Sequence, residues 1–375
     1  MNALRVALLT EIPAPFRIPL FNALAATPGI ALDVLFLSDR DPVRPYPVYA
    51  DEFAFGWSIL GGAERHRGRW VVLSRGVGRE LRRIRPDVVI VGGYNQPAFW
   101  QALAWARLRR RPVVAWSEST ARDARPGSAA LEVAKRLFLR RCRAVFVPGR
   151  ASAEYMALMG IPAERVVVAP NAVDDAIFGQ RVAELRGDRA ALRRRLDVDG
   201  PCVLTACRLD PEKGVDVLIR AAPLLPDGAI VAVAGDGSRA AALRDEAERV
   251  APGRIRFLGR LDRDQLAEWY AAADAFALAS RSDQWGMVLN EAAAAGLPIV
   301  ATEAPGAAWD LVEPGVNGAR VPVDDAPALA AALSELLADE KLRAAAGRRS
   351  RELAQRFTAD AWAGVVAALV RRVVR

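Results

Sequence analysis

The sequence predicts two doubly wound α/β domains in tandem. Three observations carry that reading. Short β-branched runs alternate with segments whose apolar residues recur every three or four positions, the pattern of a parallel sheet wrapped by helices. The alternation occurs twice, on either side of a polar, charged stretch at 180–200. Finally, 375 residues with a hydrophobic fraction of 52% suffice for two or three buried cores. The domains are expected at 1–172 and 173–358, with a terminal helix at 359–375 that either stays with the second domain or crosses back to the first.

The first series places strands at 5–9, 32–36, 87–91, 112–116, 144–147 and 166–168, with helices such as 77–84 and 98–108 between them. The second places strands at 203–206, 229–234, 254–257, 275–278 and 298–301. In doubly wound sheets, ligands gather beyond the carboxyl ends of the strands, so loops following strands are where chemistry is sought.

Cys142, Cys202 and Cys207 have neither CxxC nor metal-ligand spacing and lie in apolar runs, which fits reduced, buried thiols in the cytoplasm. The apolar run 4–9 stops at Thr10, too short for a secretory signal, and no apolar run approaches the roughly 20 residues of a membrane span. Residues 1–175 hold 25 Lys and Arg against 16 Asp and Glu, so the whole +8 excess is N-terminal. Arginine clusters at 82–85, 107–111 and 136–143 are either solvated helix faces or a surface for anionic lipid headgroups or phosphates.

Three stretches of the second series attract attention. After the strand ending at Ala206, Arg208 and Lys213 flank a Pro211-Glu212 helix start, and an arginine fork with a lysine point charge can hold a diphosphate. Gly235-Asp236-Gly237-Ser238-Arg239-Ala240 fits the GxGxxA dinucleotide fingerprint, which makes an NAD-linked oxidoreductase the rival reading. It follows an internal strand of its domain rather than the first, so a tight turn bringing backbone to a ligand is the more economical account. Third, Arg281-Ser-Asp283-Gln-Trp285-Gly286-Met287-Val288 leads into a helix carrying Glu291. Asp283 then lies in the loop and Glu291 two turns in, both expected to face one pocket at the helix N-terminal end.

Together these residues resemble the retaining glycosyltransferases of the GT-B fold, family 4, over nearly the whole chain. The resemblance is most specific at Asp283…Glu291-Ala-Ala-Ala-Ala-Gly296-Leu-Pro298-Ile-Val-Ala-Thr302 and at Glu313-Pro-Gly315-Val-Asn317-Gly318. It implies two Rossmann-like domains with an interdomain cleft, and catalytic roles for Asp283, Glu291, Arg208, Lys213 and Glu118. Arg208 and Lys213 would hold the donor diphosphate, Glu291 the ribose hydroxyls and Asp283 the donor sugar. Gly235, Gly237, Leu258, Trp285, Gly286, Met287 and Val288 would complete the donor site; Glu11, Arg17 and Tyr94 would face the acceptor.

The chain departs from the family pattern in three places. Asp283 replaces the usual glutamate and is one methylene shorter. The first loop, Thr10 to Arg17, lacks the glycines many members place against phosphates. The only histidine, His66, lies in a Gly- and Arg-rich loop, and Glu118 at a strand end is better placed beside the sugar.

The expected reaction is transfer of a sugar from a nucleotide diphosphate sugar, UDP favoured over GDP, to an acceptor hydroxyl with retention of configuration. It would need no metal and no cofactor, and would serve cell-surface polysaccharide or glycolipid assembly; a small-molecule natural product is the alternative acceptor. Asp197/Asp199 and Asp262/Asp264 are read as solvated turns. The expected partners are a glycan or lipid-linked acceptor and an anionic membrane surface, with the protein peripheral on the inner face of the cell membrane and no nucleic acid bound.

Overall fold

A computed structural model describes residues 3–41, 47–66, 70–122 and 129–375. Two compact units result: unit 1 is Met1–Ala121, Arg125–Ala172 and Ala359–Arg375, and unit 2 is Arg122–Ala124 and Val173–Thr358.

Unit 1 is built on β1 (Leu4–Thr10), β2 (Ile30–Phe36) and β3 (Gly56–Ile59). A separate antiparallel hairpin, β4 (Gly62–His66) and β5 (Trp70–Ser74), follows. Then come β6 (Val88–Val91), β7 (Val113–Trp116), β8 (Ala144–Val147) and β9 (Val166–Val168). The parallel sheet runs β3-β2-β1-β6-β7-β8-β9, so its order reverses between β1 and β6. Every residue of β6, β7 and β8 is buried, as helices on both faces of a parallel sheet require. His66 closes β4 rather than lying in a loop; its side chain is outside the described residues.

The terminal helix, Ala359–Val374, belongs to unit 1. Trp362 is fully buried, with its ring centroid 6.3 Å from Phe21 in the helix Ile18–Ala26 and 5.5 Å from Trp116. A valine and tryptophan stripe at helical spacing has found its apolar partner there.

Unit 2 carries β10 (Cys202–Ala206), β11 (Ile230–Ala234), β12 (Ile255–Gly259), β13 (Ala275–Leu278), β14 (Ile299–Thr302) and β15 (Gly318–Val321). These pair in parallel in the order β12-β11-β10-β13-β14-β15, with the reversal between β10 and β13. The polar stretch before β10 is mostly helical, including Arg189–Arg195. Its arginines complete carbonyls that the helix Arg263–Ala272 leaves open: Arg189 donates to the oxygens of Ala272 and Ala273, both at 2.9 Å. Arg189 and Arg193 also clasp Asp274 at 2.8 and 3.1 Å.

The Asp262/Asp264 pair is not a solvated turn. Asp262 caps the helix Arg263–Ala272 in a reciprocal capping box with Gln265, and Asp264 sits in the first turn, where the helix dipole favours a carboxylate. Among the described residues no helix is long and apolar enough to cross a membrane, and no three His, Cys, Asp or Glu side chains are grouped to hold a metal ion.

Candidate functional site

In unit 2 the loops after β10 and β13 leave the sheet on opposite sides of its order reversal, and the crevice such a reversal opens is where doubly wound folds take ligands. The first loop carries Arg208 and Lys213 and the second Asp283. Lys213 Nζ donates to Asp283 Oδ2 at 2.6 Å, a contact between residues 70 positions apart. Gly214 makes the approach possible: its φ is +63°, and a Cβ there would stand 2.0 Å from the Ala279 carbonyl oxygen at the end of β13.

The fingerprint loop 235–240 packs against the same β10 loop. A Cβ on Gly235, whose φ is +139°, would lie 1.8 Å from the Cys207 oxygen, and one on Gly237 would lie 2.7 Å from Leu209 backbone atoms. Both glycines therefore serve contact between neighbouring backbones, which accounts for the spacing without a dinucleotide. Ser238 Oγ donates to Asp210 at 2.7 Å, and Asp210 and Glu212 hold the Arg208 guanidinium, Glu212 at 2.6 Å. Arg208 is thus caged by two carboxylates in this state, half-buried and already oriented.

The helix Met287–Ala294 begins at Gly286, which has a left-handed φ of +85°. Met287 and Val288 form its first turn, half-buried, with backbone amide groups directed out of the helix N-terminus. The Trp285 side chain is buried, and its indole N–H donates to Asn290 Oδ1 at 2.7 Å, which leaves only its backbone for the donor site. Glu291 lies little more than one turn in, not two, because the helix starts at Met287. Its carboxylate accepts a hydrogen bond from the Tyr270 hydroxyl at 2.9 Å. Burial pushes its pKa up to about 7 against the lowering effect of that bond, so it exchanges a proton near neutrality. Leu258 in β12 is half-buried on the unit 2 core.

The remaining sequence candidates belong to unit 1, around the reversal between β1 and β6. Glu11, after β1, accepts from Asn95 Nδ2 at 2.6 Å and Gln96 Nε2 at 2.8 Å, both after β6. Arg17 donates to Thr10 Oγ1 at 2.8 Å and to Glu118 Oε1 at 3.3 Å, and its guanidinium lies over the Trp116 ring at 4.4 Å. Glu118 also accepts from Asn171 at 3.2 Å. Tyr94 instead meets Lys135, whose ammonium is 5.1 Å from its ring centre.

Sequence reasoning missed Asp210 and Tyr270. An acid two residues from Arg208 reads as loop polarity, and a tyrosine inside an apolar helical stripe reads as core. Asn95 and Gln96, an amide pair in the loop that follows a β-branched run ending at Val91, were the available signal on the unit 1 side.

Residues 20–177 match the family Glycosyltransferase Family 4, and residues 188–353 match Glycosyl transferases group 1. The D-inositol 3-phosphate glycosyltransferase of Xylanimonas cellulosilytica is 37% identical over 211 residues, 54% of this chain and 50% of that protein. The lipopolysaccharide core biosynthesis glycosyltransferase LpsE of Rhizobium meliloti is 33% identical over 177 residues, 45% of this chain and 50% of that protein. The chain spans about half the length of these curated relatives. Among solved structures, Anabaena Alr3699/HepE in complex with UDP superposes with a TM-score of 0.80 at 20% identity, covering 99% of this chain and 100% of that one. Sucrose-phosphate synthase from Thermosynechococcus elongatus superposes at 0.76 and 20% identity, covering 99% of both.

Proposed function

Because the chain belongs to the group 1, family 4 glycosyltransferases and shares their two-domain GT-B fold, we propose that it moves a sugar from a nucleotide diphosphate sugar to an acceptor hydroxyl with the anomeric configuration kept. The observation that carries the proposal is the Lys213–Asp283 pair at the strand-order reversal of unit 2, with Arg208 on the same loop as Lys213. In our reading the anomeric carbon exchanges its diphosphate oxygen for the acceptor oxygen on the same face of the sugar, and the acceptor hydroxyl's proton passes to the departing diphosphate oxygen. Negative charge then grows on the departing diphosphate. Arg208, Lys213 and the amide groups of Met287 and Val288 would meet that charge, which is what lowers such a barrier.

The paired acids divide the donor. Glu291 would accept from ribose hydroxyls, Asp283 would turn from Lys213 to the sugar hydroxyls, and the Asp210–Glu212 cage would hand Arg208 to the phosphates. Binding would therefore exchange ion pairs within the protein for ion pairs to the ligand. UDP is the nucleotide we favour, in keeping with the UDP complex of the structural neighbour. The acceptor we propose is a glycan or a lipid-linked headgroup, since the relatives act on an inositol phosphate and in lipopolysaccharide assembly. Glu11, Arg17 and Tyr94 are the residues we assign to it, and Glu118, bonded to Arg17, is the one we place beside the sugar.

A thermal-shift panel of UDP, GDP, ADP, TDP and NAD tests this directly. UDP alone is expected to stabilise the protein, with the shift lost in Lys213→Ala, and transfer from UDP-sugars in that variant reduced about 10²–10³-fold. A shift with NAD, or unimpaired turnover in both Lys213→Ala and Glu291→Ala, rejects the assignment.

A further inference from the structure

Unit 1 has a recess that none of these roles uses, at the amino ends of its strands and so at the opposite end of the sheet from Glu11, Arg17, Tyr94 and Glu118. Its volume is about 320 Å³, and it is lined by Arg107, Arg111, Arg141, Arg143 and Arg165 beside the start of β7. They come from three places in the chain: the carboxyl end of the helix Pro97–Leu108, the carboxyl end of the helix Ala129–Arg141, and the turn before β9.

Part of this charge is already used. Arg165 donates to the carbonyls of Arg140 at 3.2 Å and Arg143 at 3.3 Å and to that of Cys142, and Arg141 donates to Leu137 at 3.1 Å. The bond to Arg140 completes a helix-end carbonyl, and those to Cys142 and Arg143 tie down the connection before β8. Arg111 pairs with Asp87 at 3.3 Å. Arg107 and Arg143 make no ion pair among the described residues, and Asp87 is the one carboxylate paired with any of the five. Helix-end carbonyls absorb hydrogen bonds but at most about half a charge per helix. A concave cluster of guanidiniums with that imbalance draws an anion, and the planar fork fits two oxygens of a phosphate at once.

We infer that this recess binds a phosphate-bearing anion, a site separate from the donor and acceptor residues. Its volume accommodates more than one phosphate group, and Arg107 and Arg143 are the side chains that take it. Such a group reaches the protein either free in solution or as the headgroup of a lipid.

The test uses the full chain carrying Lys213→Ala, which removes competing diphosphate binding at the candidate donor site. Inorganic pyrophosphate is titrated calorimetrically, and vesicles of neutral lipid with and without phosphatidate are floated with the protein. Pyrophosphate binding that weakens at least about tenfold on adding Arg107→Gln with Arg143→Gln supports a free-phosphate ligand. Flotation specific to phosphatidate and lost in the same double variant supports the lipid source. Both positions are exposed, so melting temperature without ligand is expected to stay unchanged, and single Arg107→Gln gives the intermediate value. Neither probe binding, or binding insensitive to both variants, overturns the inference. Because the site residues proposed for transfer are untouched, glycosyl transfer to a water-soluble acceptor in an R107Q/R143Q protein with native Lys213 is expected to stay unchanged.

Discussion

Glu291 combines a half-buried position with one hydrogen-bond donor, Tyr270, and no paired cation among the described residues, and that combination sets its chemistry. Its pKa in the fold, about 7, stands above the roughly 4.3 of an unfolded glutamate. Between those values the folded state binds the extra proton, so stability falls as pH rises from about 4 to 7, and Glu291→Gln should flatten that slope in pH-dependent melts. Ribose hydroxyls donate best to the ionised form. Uridine, which does not titrate between pH 6 and 8, is therefore expected to bind more weakly as pH drops through about 7. Tyr270→Phe removes the bond that holds the pKa down and should shift this transition upward by about one unit; a transition that stays in place would deny Tyr270 that role. The sequence names Asp283, Glu291, Arg208 and Lys213 as candidates, and the fold brings Lys213 to Asp283 with Arg208 on the same loop as Lys213. That pairing was not legible in the sequence, because whether Lys213 meets Asp283 or a ligand depends on how two loops 70 residues apart approach.

At the scale of elements, the buried strands were readable because parallel sheets covered on both faces give unbroken β-branched runs. The edges were not. β3 is mostly exposed and β15 reads Gly-Ala-Arg-Val, so neither shows an apolar run. The arginine-rich stretch before β10 looked like solvent-facing polarity, whereas Arg189 and Arg193 are bound to Asp274 and to helix-end carbonyls. Burial alone would raise the Asp274 carboxyl, but the hydrogen bond and charge of Arg189, with the Cys202 amide, hold it below the usual range. Its stabilising effect is present above the unfolded aspartate range and is lost as pH falls through the depressed value. Asp274→Ala leaves Arg189, Arg193 and Arg343 without this carboxylate and is expected to cost about 3–5 kcal/mol in denaturant unfolding. Trp362→Ala empties the contact of the last helix and is expected to cost about 3–5 kcal/mol as well. A loss below about 1 kcal/mol in the latter would mean the helix is dispensable to unit 1.

For the molecule as a whole, the charge excess of residues 1–175 falls within the N-terminal part, which the proposed function associates with the acceptor. Leu108, Val133 and Leu137 are 85%, 65% and 45% exposed, and the last two are one helical turn apart beside Arg136 and Arg140. Exposed apolar side chains among arginines favour an anionic lipid interface. The protein is expected to sediment with phosphatidylglycerol vesicles at low ionic strength and to be released as salt screens the attraction. Equal recovery in both fractions at low salt contradicts a peripheral association.

The return of the last helix to unit 1 also bears on biogenesis. A ribosome completes residue 172 with the Trp362 socket in Phe21 and Trp116 still empty, and roughly 10–40 s pass at ordinary elongation rates before residue 374 follows. Unit 2, nearly continuous in the chain, can close in that interval. The half synthesised first is the half finished last, so premature termination anywhere in the second half leaves nascent chains with an open aromatic socket for chaperones to shield.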